Sequence, residues 1–272
     1  MRDSPYKPKP PGRVRLTGGN NKTAMKNRRN QAPDTADHWL ASGQLKTYRR
    51  GQRIIEAGSP LGDWVAISRG AAYLVSQVAP GTRVAVAALW LGDVIGGESP
   101  LGKLAARYDV TALVDVTTIN IPLEQIQSDA APPRTAETGE LYAATASRLH
   151  DQISMRLAGN GLQRLVSVMA TLATALAPDE SARHADRLAL PISQACIGQL
   201  SGLSRRQTWI YLGQLGQRGW IVTSRSKVTL EGLRAWLALM REVDGAGIEC
   251  IATLERCHAT LLRLSARALA QP

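Results

Sequence analysis

Residues 192–221 read ISQACIGQLSGLSRRQTWIYLGQLGQRGWI, and this stretch decides the fold of the C-terminal half. A first helix carries Ile197 and Leu200 inward. Gly202 falls where a tight turn needs positive φ. Ser204 then suits the N-cap of a second helix, with Gln207 three residues on completing a capping box. Thr208, Tyr211, Leu212 and Leu215 follow the i, i+3, i+4, i+7 rule of a single buried stripe. The opposite face near the helix start offers Arg205, Arg206, Trp209 and Ile210. Guanidinium forks at that place match guanine O6 and N7 in a major groove, and a helix N-terminus can hold a phosphate. Trp220-Ile221-Val222 and Val228-Thr229-Leu230 flank Ser224-Arg225-Ser226-Lys227. That is a hairpin with a basic tip, a wing whose Arg225 and Lys227 can lie along a nucleic-acid backbone.

Working outward, residues 161–240 form a DNA-binding unit, with a helix from Leu162 to about Leu176 stopped by Pro178 and a polar loop over 178–190. Residues 244–272 read as one further helix with Ile248, Ile251, Leu254, Leu261 and Leu262 as its apolar stripe. Upstream, residues 135–160 have helical period. Tyr142, Ala146, Leu149 and Ile153 recur at spacings of four, three and four, a coiled-coil-like seam for a partner helix or for its own domain. Asn160-Gly161 breaks that helix. Residues 37–130 alternate short β-type runs with glycines: Arg53–Ile55, Trp64–Ile67, Ala72–Val78, Arg83–Leu89, Thr111–Val114 and Thr118–Ile121. Such spacing predicts an all-β barrel or sandwich, with Ala79-Pro80-Gly81-Thr82 as a hairpin turn. Residues 1–36 are rich in proline, glycine and cations and read as disorder.

Several patterns resemble a known family. Ile197-Gly198-Gln199-Leu200, Gly202, Leu203-Ser204-Arg205 and Leu212 with Leu215 look like the winged helix-turn-helix of the Crp/Fnr transcription regulators. Tyr48-Arg49-Arg50-Gly51, Ile54-Ile55-Glu56-Ala57-Gly58, Ile67-Ser68-Arg69-Gly70, Gly92-Asp93-Val94-Ile95-Gly96 and Ile121-Pro122 resemble that family's cyclic-nucleotide-binding β-roll. The resemblance spans roughly residues 40–240 and implies an α+β chain: a jelly-roll-like β-roll, a long dimerisation helix and a C-terminal winged helix. It implies a homodimer on a palindromic operator in double-stranded DNA, with RNA polymerase as a further partner. Ser204, Arg205, Arg206, Gln207, Trp209, Ile210, Arg225 and Lys227 are the candidate DNA contacts. Members reading a TGTGA-like half-site carry Arg-Glu and then Arg four residues after the Glu. Arg206 and Ile210 stand in the last two of those places, so the half-site is expected to differ.

In cyclic-nucleotide binders of this kind, Gly-Glu opens a phosphate cassette and an Arg closes it. Gly97-Glu98 fits the opening, while Tyr108, Asp109 and Val110 fall at the close and Arg107 lies one residue early. A one-residue slip on a strand reverses the face. A roll without cyclic nucleotide, sensing an unidentified small molecule or none, is one expectation. The alternative is a sensor module regulating a protein partner, with the nucleotide retained through Glu98 and Arg107. From Trp39 to Leu149 the chain has no Cys and no His, so thiolate-held clusters and haem ligated from the roll are not expected. Cys250, Cys257 and His258 lack an obvious fourth metal ligand, and no metal or other cofactor is implied. No enzyme motif is found among the 272 residues.

The net charge is +11, of which residues 1–31 hold +8. That favours acidic partners. The basic segment is a solubilising leader, a misassigned start with Met25 beginning a shorter chain, or an arm along DNA phosphates. No apolar run approaches a membrane span, and a cytoplasmic protein is expected.

Overall fold

The computed structural model describes residues 43–96, 104–124, 133–177, 185–224 and 227–270. The basic N-terminal segment, Gly97, Glu98 and Arg225 lie outside the described residues.

Eight strands build the N-terminal roll: β1 (Gln44–Tyr48), β2 (Arg53–Ile55), β3 (Asp63–Arg69), β4 (Ala71–Ala79), β5 (Thr82–Trp90), β6 (Val94–Ile95), β7 (Asp109–Ala112) and β8 (Val116–Pro122). They pair as two antiparallel four-stranded sheets, ordered β1-β8-β3-β6 and β2-β7-β4-β5. Side chains between the sheets are β-branched and aliphatic, with Ile55, Val65, Ile67, Leu74, Leu89 and Val110 buried together. β4 and β5 meet at Pro80-Gly81, where Gly81 has φ 75°, the left-handed residue a tight hairpin needs.

β5 faces two cores. Ala87 and Leu89 point into the roll. Ala85 and Ala88 join the buried cluster of the C-terminal half, together with Ala71 and Leu113. Small residues on this outer face let helices approach the sheet closely.

Helix α1 (Pro133–Ala158) leads away from the roll. One of its faces is fastened to the sheets. Thr145 Oγ1 accepts from Val94 N at 2.9 Å. Arg148 pairs with the buried Asp93. The Gln152 amide both accepts from and donates to the Ala88 backbone at 2.9 Å, as a neighbouring strand would.

The C-terminal half contains α2 (Gly161–Leu176), β9 (Arg187–Leu190), α3 (Gln194–Leu200), α4 (Arg205–Gln217), β10 (Ile221–Thr223), β11 (Val228–Glu231), α5 (Leu233–Ala246), a 3₁₀ turn (Ile248–Ile251) and α6 (Leu254–Leu269). The wing is three-stranded, in the order β10-β11-β9. Residues 187–190, expected as loop, therefore form a strand, because β11 offers a free edge to their backbone. The expected single helix over 244–272 is also corrected. Gly247 at φ 81° ends α5, and Thr253 N-caps α6. The α6 stripe runs through Cys257, Leu261 and Leu264, while Leu262 is exposed. A Trp220 indole donates to His258 Nδ1 at 2.9 Å, tying the wing's base to α6.

Candidate nucleic-acid interface

Ser193 and Ser204 N-cap α3 and α4, each accepting from the backbone amide three residues on. At α4 the capping box is complete: Gln207 N donates to Ser204 Oγ at 3.2 Å, and Ser204 N donates to Gln207 Oε1 at 3.1 Å. Two otherwise orphaned amides at the helix start are thereby satisfied. Between the helices Gly202 has φ 62°. Gly198 lies so close to α4 that a Cβ there would sit 2.5 Å from Thr208 Oγ1. Thr208, Leu212 and Leu215 are buried and Tyr211 is half-buried, so α4 is anchored by the stripe read from the sequence.

The opposite face is open. Ser204, Arg205, Arg206, Gln207, Trp209 and Ile210 are all exposed, Trp209 at 69% and Ile210 at 37%. Among the described residues Arg205 and Arg206 have no ion-pair partner. A cleft of about 730 Å³ runs between Ser193, Gln194 and Ala195 at the start of α3 and Arg205, Arg206 and Trp209 on α4. At the wing tip Ser224 N donates to the Lys227 carbonyl at 2.9 Å, and the Lys227 side chain is exposed.

The turn of this motif is hung on two arginines that no sequence pattern singles out. Arg156, near the end of α1, donates to Val86 O on β5 at 2.8 Å and to Gln199 O at 3.2 Å. Arg164 on α2 reaches Gly202 O at 3.4 Å. Burial, and then the Arg164 charge, lower the Arg156 pKa. At the junction of α1 and α2, Asn160 N-caps α2 and its side chain donates to Ala252 O at 2.8 Å. Gln163 completes that cap and donates to Ile248 O at 2.9 Å. The C-terminal segment thus holds the interdomain joint. Asn160 followed three residues later by Gln163 is a capping-box signature legible in the chain itself.

The seam residues divide between two faces of α1. Tyr142 packs near Trp64, ring centroids 6.3 Å apart, and Leu149 leans on the roll's core. Ala146 and Ile153 face outward. Exposed along this helix at steps of three, four, three and four are Ala143, Ala146, His150, Ile153 and Leu157.

In the roll, Arg107 is exposed and Tyr108 is half-buried against the core. Asp109 lies on the other face of β7, beside Thr111, because its neighbours Val110 and Ala112 point between the sheets. Its carboxylate accepts from Ala57 N at 2.8 Å and pairs with Arg83 at 2.5 Å and Arg53 at 3.7 Å. Arg107 precedes β7 and is exposed, while the Asp109 carboxylate with its two arginines sits on the outer face of that sheet. Cys250, Cys257 and His258 do not converge: His258 Nδ1 is taken by Trp220, and Cys257 is in the core. Among the described residues no group of three metal-ligating side chains occurs.

No protein-family model matches the chain, and no curated protein does. Solved structures do. A CRP-family transcriptional regulator from Thermus thermophilus superposes with TM-score 0.59 at 19% identity, over 70% of this chain and 94% of its own. FixK2 from Bradyrhizobium japonicum gives 0.57 at 19%, over 70% and 92%. The c-di-GMP-responsive global regulator CLP from Xanthomonas campestris gives 0.57 at 17%, over 73% and 98%. No helix among the described residues is long and apolar enough to cross a membrane. The chain has the fold of the Crp/Fnr-type transcription regulators, β-roll, long helix and winged helix-turn-helix in that order.

Proposed function

We propose that the protein is a non-enzymatic, sequence-specific DNA-binding transcription regulator that acts in the cytoplasm as a homodimer. The observation that carries the reading is the exposed face of α4, two arginines without an ion-pair partner among the described residues beside two apolar side chains at a capped helix start. Arg205 and Arg206 suit guanine O6 and N7. Ser204 and Gln207 keep their capping bonds and contribute backbone-level positioning at the helix start. Lys227 and Arg225 in the wing contact phosphates. Dimerisation uses the outward face of α1, whose 3-4 spacing suits a two-stranded seam. RNA polymerase is the further partner on this reading.

The roll then acts without cyclic nucleotide, since Arg107, the arginine nearest the close of the phosphate cassette, is exposed ahead of β7 rather than on it. A sensor that regulates a protein partner remains the second reading; an open apolar surface at Trp209 also suits protein contact.

Selection of DNA by the full-length protein from a random duplex pool tests the first reading. The expected product is a palindrome with half-site centres about one helical turn apart. Arg205→Ala should cost ~1–3 kcal/mol at one base pair per half-site and relax the preference there. Failure to enrich any sequence, or enrichment of a non-palindromic one, overturns it.

A further inference from the structure

We infer that Trp209 and Ile210 read thymine methyl groups in the half-site; the inference rests on the DNA-binding reading of α4. The chemistry available on that face is restricted. Ser204 Oγ and Gln207 Oε1 are engaged with each other and with the helix-start amides, at 3.0–3.2 Å. What remains outward between residues 204 and 210 is donors, namely two guanidinium groups, the Gln207 amide NH2 and the Trp209 indole N–H, together with the hydrocarbon of Trp209 and Ile210. There is no carboxylate in this segment, so the amino groups of cytosine and adenine meet no charged acceptor here. Guanine and thymine are the two bases whose major-groove edges suit what is present, the one as a pure acceptor, the other through its C5-methyl.

The apolar pair is held in place for this. Thr208 and Leu212, its neighbours on the helix, are buried at 2% and 1%, which fixes the rotation of α4. Trp209 remains 69% exposed and Ile210 37%, both beyond what α3 or the wing covers. An indole left in water beside two such cations is poorly explained by folding alone. A polyanionic groove lined with methyl groups complements both.

Spacing limits where the methyls must lie. Trp209 follows Arg205 by four residues and Arg206 by three, and Ile210 follows Arg206 by four, so each apolar side chain is one turn from an arginine. One helical turn is about 5.4 Å, and base pairs rise about 3.4 Å. The thymines read by Trp209 and Ile210 therefore fall within about two base pairs of a contacted guanine.

The test uses the duplex enriched by the full-length protein and replaces each half-site thymine with deoxyuridine, which removes the methyl and nothing else. One or two thymines near the contacted guanine should each lose about fourfold in affinity, the value of one buried methyl-sized group. Symmetric replacement in both half-sites should lose about fifteenfold, the square of that effect. With Trp209→Ala and Ile210→Ala, whose melting temperatures should match the parent, the matching deoxyuridine penalty should vanish. Undiminished binding to every deoxyuridine duplex overturns the inference and leaves DNA recognition standing. A methyl penalty that persists in both variants also overturns it. No enriched duplex at all overturns the underlying reading together with it.

Discussion

Arg148 of α1 closes on Asp93, its Nε donating to Asp93 Oδ1 at 2.7 Å, and the carboxylate beneath is 1% exposed. Asp93 Oδ2 also accepts from Trp90 N at 2.7 Å, and the guanidinium lies 5.9 Å from the Trp90 ring. This cluster anchors the long helix to the roll. Burial raises the Asp93 pKa, and the Arg148 charge opposes that rise. A carboxyl whose folded-state pKa lies above its unfolded one stabilises most when protonated, and that contribution is lost as pH rises through the folded value. Arg148→Ala should destabilise by about 3 kcal/mol at neutral pH, since it strands a buried charge. Thermal melts should show the gap from the parent narrowing as pH falls toward the carboxyl range. A gap that widens on acidification would contradict this assignment.

The outward face of α1 predicts the oligomeric state. Leu157 is 82% exposed and Ile153 42%, so neither supports the isolated protomer much. Ile153→Lys with Leu157→Lys should leave folding intact. It should remove about 1.5–3 kcal/mol per side chain from a dimer interface. Light scattering at micromolar concentration should then report a monomer where the parent is a dimer. A parent that is itself monomeric argues against the seam.

Asn160 serves two partners at once, the α2 amide of Gln163 and the Ala252 carbonyl. Asn160→Ala should lower stability by about 1–2 kcal/mol, the usual cost of a lost N-cap. Asn160→Ser keeps the cap and loses only the tie to the C-terminal segment. If that tie holds the interdomain joint, the serine variant should melt below the parent but above Asn160→Ala. It should also exchange amide hydrogens faster in residues 248–252.

The three thiols should separate by reactivity. Burial pushes Cys196 up to about 11 and Cys257 up to about 12. Cys250 is raised as well, by burial and then by Glu242, but is partly exposed. At pH 8 a disulfide reagent should label Cys250 first, Cys196 slowly, and Cys257 only after unfolding. Because the folded values of Cys196 and Cys257 lie above the unfolded one, their burial stabilises below about pH 9. That stability is lost as pH climbs toward 11 and 12.

Much of this architecture could be read in the residues themselves. Ser204 with Gln207, Gly202 and the Thr208–Leu212–Leu215 stripe are local signals, and local signals survive folding unchanged. The apolar runs in β3, β4, β5 and β8 were legible for the same reason. β1 was not, because it is an edge strand exposed along most of its length. β9 is four residues long and owes its existence to β11. The break at Gly247 was missed because the apolar spacing across 248–262 imitates one continuous stripe. The Asp109 cluster joins residues 26 and 52 positions apart in the chain, a separation no periodicity can encode. The same applies to Arg156, which meets Val86 across 70 positions.

The outer alanines of β5 set a limit on how the molecule can be taken apart. Ala85 and Ala88 share a buried cluster with Leu165, Leu172 and Ile197, and Tyr73 and Trp90 pack against it. A roll severed after residue 124 would turn this patch toward water, and a severed reading unit would bare the matching sides of α2 and α3. Neither half is a module in the sense of a part that can be cut out and grafted elsewhere. Chimaeras that exchange one half for a homologous half should recover solubility only when the β5 surface travels with the helices it touches.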